Sequence, residues 1–243
     1  MIYKANKGQV SYGEAVGIIL LDTYTPFIPG DVGNATTFNF PVRYRVIKNY
    51  TIERIFNKDK TGLDDFMNAG KELVKDGVKA ITGDCGYMAL FQQDLTNELN
   101  VPVFLSSLLQ VPFISSIIGS NHKVGIICAN SAMLNQQLLD AVGINPSTPH
   151  FIKGLEGKPH FFEAAIKENG TLDSRELERE VVSIAREMVK EEPLIKAILL
   201  ECSLLPPYGA AVHQAVNLPV FDYVTMINFV YSAVIKKKFS GFM

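Results

Sequence analysis

The 243-residue sequence predicts an α/β protein of two pseudo-symmetric lobes, each a mostly parallel sheet flanked by helices, with a cleft between them. Three observations carry this expectation. The stretch at 79–104, KAITGDCGYMALFQQDLTNELNVPVF, recurs without a gap at 196–221 as KAILLECSLLPPYGAAVHQAVNLPVF. Lys-Ala-Ile, one cysteine and a closing Asn-x-Pro-Val-Phe are identical in the two copies, and an acid precedes each cysteine, Asp84 or Glu201. The tetrapeptide VGII at 16–19 also recurs at 124–127, in the same order relative to the cysteines. Short apolar runs alternate with helical patterns, as expected of parallel strands joined by helical crossovers. A period this long, in two copies only, means two lobes and not a solenoid.

Along the chain, AVGIILL at 15–21 is a continuous apolar run, consistent with a strand buried on both faces. It leads into Asp22, Thr23 and a loop rich in Pro and Gly. Residues 42–47 and 50–56 carry enough β-branched and aromatic side chains to suggest another strand. TGLD at 61–64 reads as a capping box that opens a helix through Val74, which Gly77 can stop. The next strand, 78–81, ends at Thr82-Gly83-Asp84-Cys85; a helix from about Tyr87 to Leu99 and a short strand at 101–105 follow. Residues 106–118 are apolar and suit a buried helix, a lobe contact or a homodimer interface.

Strand 123–128 restarts the pattern. Asp173 and Glu176 cap a long amphipathic helix to about Glu192, with Pro193 marking its end. That helix feeds strand 195–200 and Cys202. The last apolar stretch, 224–235, takes the place of 111–118 in the repeat, and Lys236-Lys237-Lys238 close it, where cations complement the helix dipole. The expected N-terminal lobe is 1–105 plus about 222–243, and the C-terminal lobe 106–221.

A formal net charge of −2 with dispersed Lys and Arg gives no nucleic-acid footprint. The apolar runs are strand-length, far below the roughly 20 residues of a membrane span. The N-terminus lacks the apolar core of a signal peptide. Three separated cysteines make neither a disulfide framework nor a CxxC metal pair. Neither GxGxxG nor a Walker A sequence occurs. A cytoplasmic protein with reduced thiols, and with no nucleic-acid or membrane partner, is expected.

Two α/β halves with one cysteine after a buried strand in each resemble the aspartate/glutamate racemase superfamily. That group includes cofactor-independent amino-acid racemases, hydantoin racemases, maleate isomerases and arylmalonate decarboxylases. The resemblance covers residues 16–221. Cys85-Gly86-Tyr87 departs from the Cys-Asn-Thr of glutamate racemases, and Glu201-Cys202-Ser203-Leu204 departs from their Gly-Cys-Thr followed by His or Glu. The resemblance implies no cofactor and a small carboxylate substrate such as aspartate or glutamate. It implies a racemase or epimerase, an isomerase moving a proton between Cys85 and Cys202 on facing walls. A maleate-type isomerase, a hydantoin racemase, a decarboxylase or a non-catalytic carboxylate sensor are the alternatives.

Two-base inversion needs one thiolate and one thiol. A cysteine pKa of about 8.5 falls at a helix N-terminus, and both sulfurs precede predicted helix starts. The N–H groups of Gly86, Tyr87, Ser203 and Leu204 are candidates to hold the substrate carboxylate. Asp22, Thr23 and Asn34 follow the first buried strand, where functional loops gather, and are candidate binding residues unless the segment is an ordinary connecting loop. Asp84 and Glu201 read as structural, because neighbours in an extended strand point to opposite faces. Cys128 lacks a repeat counterpart and reads as core. His122, His150, His160 and His213 occupy no repeated position, and Thr82 and Ser131 suit turns or caps as well as ligands.

Overall fold

The computed structural model describes residues 2–5 and 7–243. In the first half, β1 (Val16–Leu21), β2 (Val42–Ile47), α1 (Ile52–Phe56), α2 (Leu63–Lys75), β3 (Ala80–Gly83), α3 (Gln92–Glu98) and β4 (Val103–Phe104) build a four-stranded parallel sheet, order β2-β1-β3-β4. Every residue of β1 is buried, as its unbroken apolar run requires of a strand covered on both faces. After α4 (Val111–Ile118) the plan is repeated by β5 (Lys123–Cys128), α5 (Gln136–Ala141), β6 (His150–Gly154), α6 (Pro159–Phe161), α7 (Ser174–Glu191), β7 (Ile195–Leu200), α8 (Gly209–Val216) and β8 (Val220–Phe221). Their sheet is also parallel, with the matching order β6-β5-β7-β8.

The helices after each sheet are exchanged. α4 follows the first sheet but packs against β5 and β7 of the second. α9 (Tyr223–Val234) follows the second and returns to the first, burying Tyr223, Met226 and Ile227 against Val16, Ile18, Ala80 and Phe104. The Tyr223 hydroxyl donates to the Leu105 carbonyl at 2.7 Å, which fixes the return.

The recurrent VGII has a packing cause. A Cβ on Gly17 would lie 3.0 Å from the Leu73 methyls of α2, and one on Gly125 2.6 Å from the Met188 sulfur of α7. Each central strand therefore carries glycine where its covering helix crosses closest. α2 and α7 bury Phe66, Ala69, Gly70 and Leu73, and Leu177, Val181, Ile184, Ala185 and Met188, at the three- and four-residue spacing of a helical face.

Several expected elements differ. Residues 50–56 are not a strand: Tyr50 closes a turn on Ile47, and Ile52, Ile55 and Phe56, three and four apart, form the inward face of helix α1. The TGLD capping box does not form. The Asp59 carboxylate accepts the Thr61 N–H at 2.8 Å and its hydroxyl at 2.6 Å, and α2 starts after one 3-10 turn. A 3-10 turn also opens each expected helix at 86–91 and 107–110. α4 is only half covered, leaving Phe113 and Ile117 more than half exposed. α9 ends at Val234, so the three lysines follow the helix instead of closing it. No helix among the described residues is long and apolar enough to cross a membrane.

Candidate active site

The two copies of the repeated motif deliver their side chains by the same backbone hydrogen bonds. The Asp84 N–H, just past β3, donates to the Ile19 carbonyl at 3.1 Å, and the Glu201 N–H, just past β7, donates to Ile127 at 2.8 Å. Each carboxylate then turns back to the end of the neighbouring central strand. Asp84 accepts the Leu21 N–H at 3.1 and 3.3 Å, and Glu201 Oε2 accepts the Ala129 N–H at 3.3 Å. The chain is thereby held open at the C-terminal edges of both sheets, and the following cysteines, Cys85 and Cys202, line one cavity. The lobes are tied across it: the Tyr87 hydroxyl donates to the Asn130 carbonyl at 2.6 Å and accepts from its N–H at 3.0 Å. The Ser107 hydroxyl reaches the Glu201 carbonyl at 2.9 Å.

Burial governs the electrostatics. Removal from water pushes the Asp84 carboxyl up to about 7 and the Glu201 carboxyl up to about 8, against the N–H bonds that favour their anions. Glu201 Oε1 is buried with no partner, which suits a carboxyl that keeps its proton. Burial likewise raises both thiols. At Cys85, Glu201, Cys202 and Asp84 add to that rise and outweigh the Tyr87 N–H, whereas at Cys202 only Glu201 outranks the Leu204 N–H that favours the thiolate. Cys202 is also the less buried of the pair. The depressed thiol pKa expected at a helix start is therefore absent: the N–H groups are there, but dry surroundings and neighbouring acids dominate.

Of the candidate binding residues, Thr23, Tyr87, Ser203 and Leu204 line the cavity with the two cysteines, and Asp22, Asn34 and Gly86 do not. Asp22 is turned outward, its carboxylate accepting the Asn49 N–H at 2.8 Å. Asn34 caps a turn, accepting from the Thr36 N–H at 2.9 Å and donating to the Phe27 carbonyl at 2.9 Å. Gly86 lies beneath Glu201, where a Cβ would collide with the carboxylate. Asp84 and Glu201, expected to face away, line the cavity. Both lie beyond the last ladder residue of their strands, where two-residue alternation no longer applies.

The rest of the lining was not foreseen. Thr25 and Phe27 come from the loop after β1, Phe56 from α1, and Phe161, Ala165 and Ile166 from α6 and the π-helical turn after it. None of these lies in a repeated segment. The hydroxyls of Thr23 and Ser203 have no protein partner among the described residues, and no lysine or arginine lines the cavity.

No family model matches the chain. Solved structures of similar fold include a glutamate racemase isoform from Bacillus anthracis (TM-score 0.59, 12% identity, covering 90% of this chain and 82% of that one). An aspartate racemase homologue from Pyrococcus horikoshii gives 0.58 at 17% identity, covering 91% and 99%. A Gly74Cys mutant of arylmalonate decarboxylase gives 0.59 at 14% identity, covering 92% and 94%. The fold is that of the aspartate/glutamate racemase superfamily. The sequence relatives decide further. A dimethylsulfoniopropionate lyase from Durusdinium sp. clade D is 32% identical over 226 residues, 88% of this chain and 73% of that protein. The chain belongs to the dimethylsulfoniopropionate lyase family. Dimethylsulfoniopropionate lyase 3 and lyase 6 of Emiliania huxleyi are each 33% identical over 226 residues, and the chain spans 58% of their length.

The expectation of an enzyme stands, and its class is corrected. Relatives identical to this chain at about a third of the 226 aligned residues are lyases, whereas the racemases share only its fold. Fold alone does not transmit activity. The amino-acid racemase reading is overturned.

Proposed function

We propose that the chain is a lyase that splits dimethylsulfoniopropionate into dimethyl sulfide and acrylate in the cavity between its lobes. The observation that carries this reading is the pair Cys85 and Cys202 on one cavity, in a chain of the dimethylsulfoniopropionate lyase family. A thiolate removes a proton from the carbon next to the substrate carboxylate. The C–H electron pair becomes the new double bond, and the bond from the β-carbon to the sulfonium sulfur breaks with its pair on sulfur. Dimethyl sulfide departs neutral and acrylate keeps the carboxylate, so atoms and charge balance with the base now a thiol. The leaving group needs no proton, so one base suffices.

Cys202 is the better base of the two. It is less buried, and of the charges around it only Glu201 outweighs the Leu204 N–H that favours its thiolate. Cys85 stays a thiol and flanks the α-carbon. The unpartnered hydroxyls of Thr23 and Ser203 donate to the substrate carboxylate, which meets no cationic side chain. Up to a pH of about 7 for Asp84 and about 8 for Glu201, these carboxyls stay protonated and add no negative charge beside the thiols.

The test is to incubate the protein with dimethylsulfoniopropionate in D₂O and follow the reaction by proton NMR. Stoichiometric acrylate and dimethyl sulfide support the reading. Unchanged substrate across the pH range in which the protein is folded rejects it.

A further inference from the structure

The cavity has an uneven lining. Four aromatic residues line it, Phe27, Phe56 and Tyr87 from the first half of the chain and Phe161 from the second. Its only titratable lining groups are two carboxyls and two thiols besides the Tyr87 phenol. Such walls suit a soft cation. Ring faces are negative, and they hold sulfonium or quaternary ammonium groups, which have no N–H to satisfy, without removing them from a hydrogen-bonded site. A solvated ammonium or guanidinium would instead need several acceptors, and of the lining carboxyl oxygens only Glu201 Oε1 is without a partner, Asp84 being committed to Leu21 and Glu201 Oε2 to Ala129.

The rings are held in place. Phe56 and Tyr87 meet edge to face, centroids 4.9 Å apart. The Tyr87 hydroxyl is anchored on Asn130. The Phe27 carbonyl takes the Asn34 amide at 2.9 Å. Glu180 accepts the N–H groups of His160 at 2.9 Å and Phe161 at 2.8 Å, fixing the helix start that carries the Phe161 ring.

We propose that Phe27, Phe56, Tyr87 and Phe161 form an aromatic seat for the onium end of the substrate, so that the protein selects a permanently cationic sulfur or nitrogen over a neutral group of the same shape. The inference rests on the lyase reading and adds to it which residues decide specificity. The carboxylate of the substrate then lies toward the free hydroxyls of Thr23 and Ser203, and its α-carbon between the two sulfurs.

An isosteric pair tests it. 3-(Trimethylammonio)propanoate and 4,4-dimethylpentanoate differ only in one atom, a cationic nitrogen in place of a neutral carbon, and their affinities can be measured by isothermal titration calorimetry, independently of turnover. The seat predicts that the wild-type protein prefers the ammonium compound about tenfold or more. Phe56→Leu and Phe161→Leu, which keep apolar bulk and remove a ring face, reduce that preference toward unity while altering 4,4-dimethylpentanoate binding less. The ratio within one variant does not depend on what fraction of it is folded. Equal affinities in the wild type, or an undiminished ratio in both variants, overturn the seat. Failure to cleave dimethylsulfoniopropionate with the ratio intact would sink the lyase reading and leave the seat standing.

Discussion

Glu201→Gln isolates a single buried proton. In the fold the carboxyl is pushed up to about 8, against 4.5 in an unfolded chain, chiefly because no water reaches it. The folded protein therefore binds this proton more tightly than the unfolded one. Below pH 4.5 both states hold it and stability is unaffected; between 4.5 and about 8 only the fold holds it, so stability falls as pH rises; above about 8 the loss is complete. At 1.36 kcal/mol per pKa unit, the loss is on the order of 5 kcal/mol. Glutamine has no proton to release, and its amide oxygen can still accept the Ala129 N–H. A neutral glutamic acid and glutamine leave one polar atom each at the unpartnered Oε1 site, so that cost largely cancels. Urea unfolding followed by circular dichroism at pH 4 and pH 9 measures the outcome. The variant should match the wild type at pH 4 and exceed it at pH 9, by up to about 5 kcal/mol. Asp84 titrates in both proteins and drops out of the difference. A stability difference that is the same at both pH values refutes the reasoning.

Other consequences follow from the same contacts. Gly86→Ala would drive a Cβ into the Glu201 carboxylate, costing about 1–3 kcal/mol by overpacking. Adding Glu201→Ala should return part of that loss in a double-mutant cycle, and additive losses would contradict the contact. Tyr87→Phe removes the hydroxyl that bonds both the Asn130 N–H and carbonyl, and should cost about 1–3 kcal/mol in chemical denaturation while keeping the ring. Because burial raises both thiols, kcat/KM should climb with pH above neutrality; an optimum on the acid side would contradict a thiolate base.

What the sequence disclosed follows from what duplication preserves. The matched cysteines, the acids before them and the VGII pairs all mark sites where backbone geometry is repeated: a strand end, a turned-back carboxyl, a helix crossing over glycine. Strand alternation does not predict the direction of Asp84 and Glu201, because each lies one residue past the ladder. Their recurrence at matched positions was the available signal. The aromatic wall was invisible for a different reason. Phe27, Phe56 and Phe161 come from unrepeated segments, and only the fold brings them to one place. The sequence of α1 suits a strand as well as a helix, because Ile52, Ile55 and Phe56 satisfy β propensity as well as helical spacing, and five residues are too few to choose between them. Asp22 and Asn34 looked like ligands from their position after β1, yet short polar ties within the loop already use both side chains.

The most direct test compares dimethyl sulfide release by the wild-type protein and by Cys202→Ala, measured by headspace gas chromatography on samples matched for folding. The account predicts steady release from dimethylsulfoniopropionate by the wild type and a fall of at least about 10²-fold on loss of the base. Wild-type rates from Cys202→Ala would contradict it.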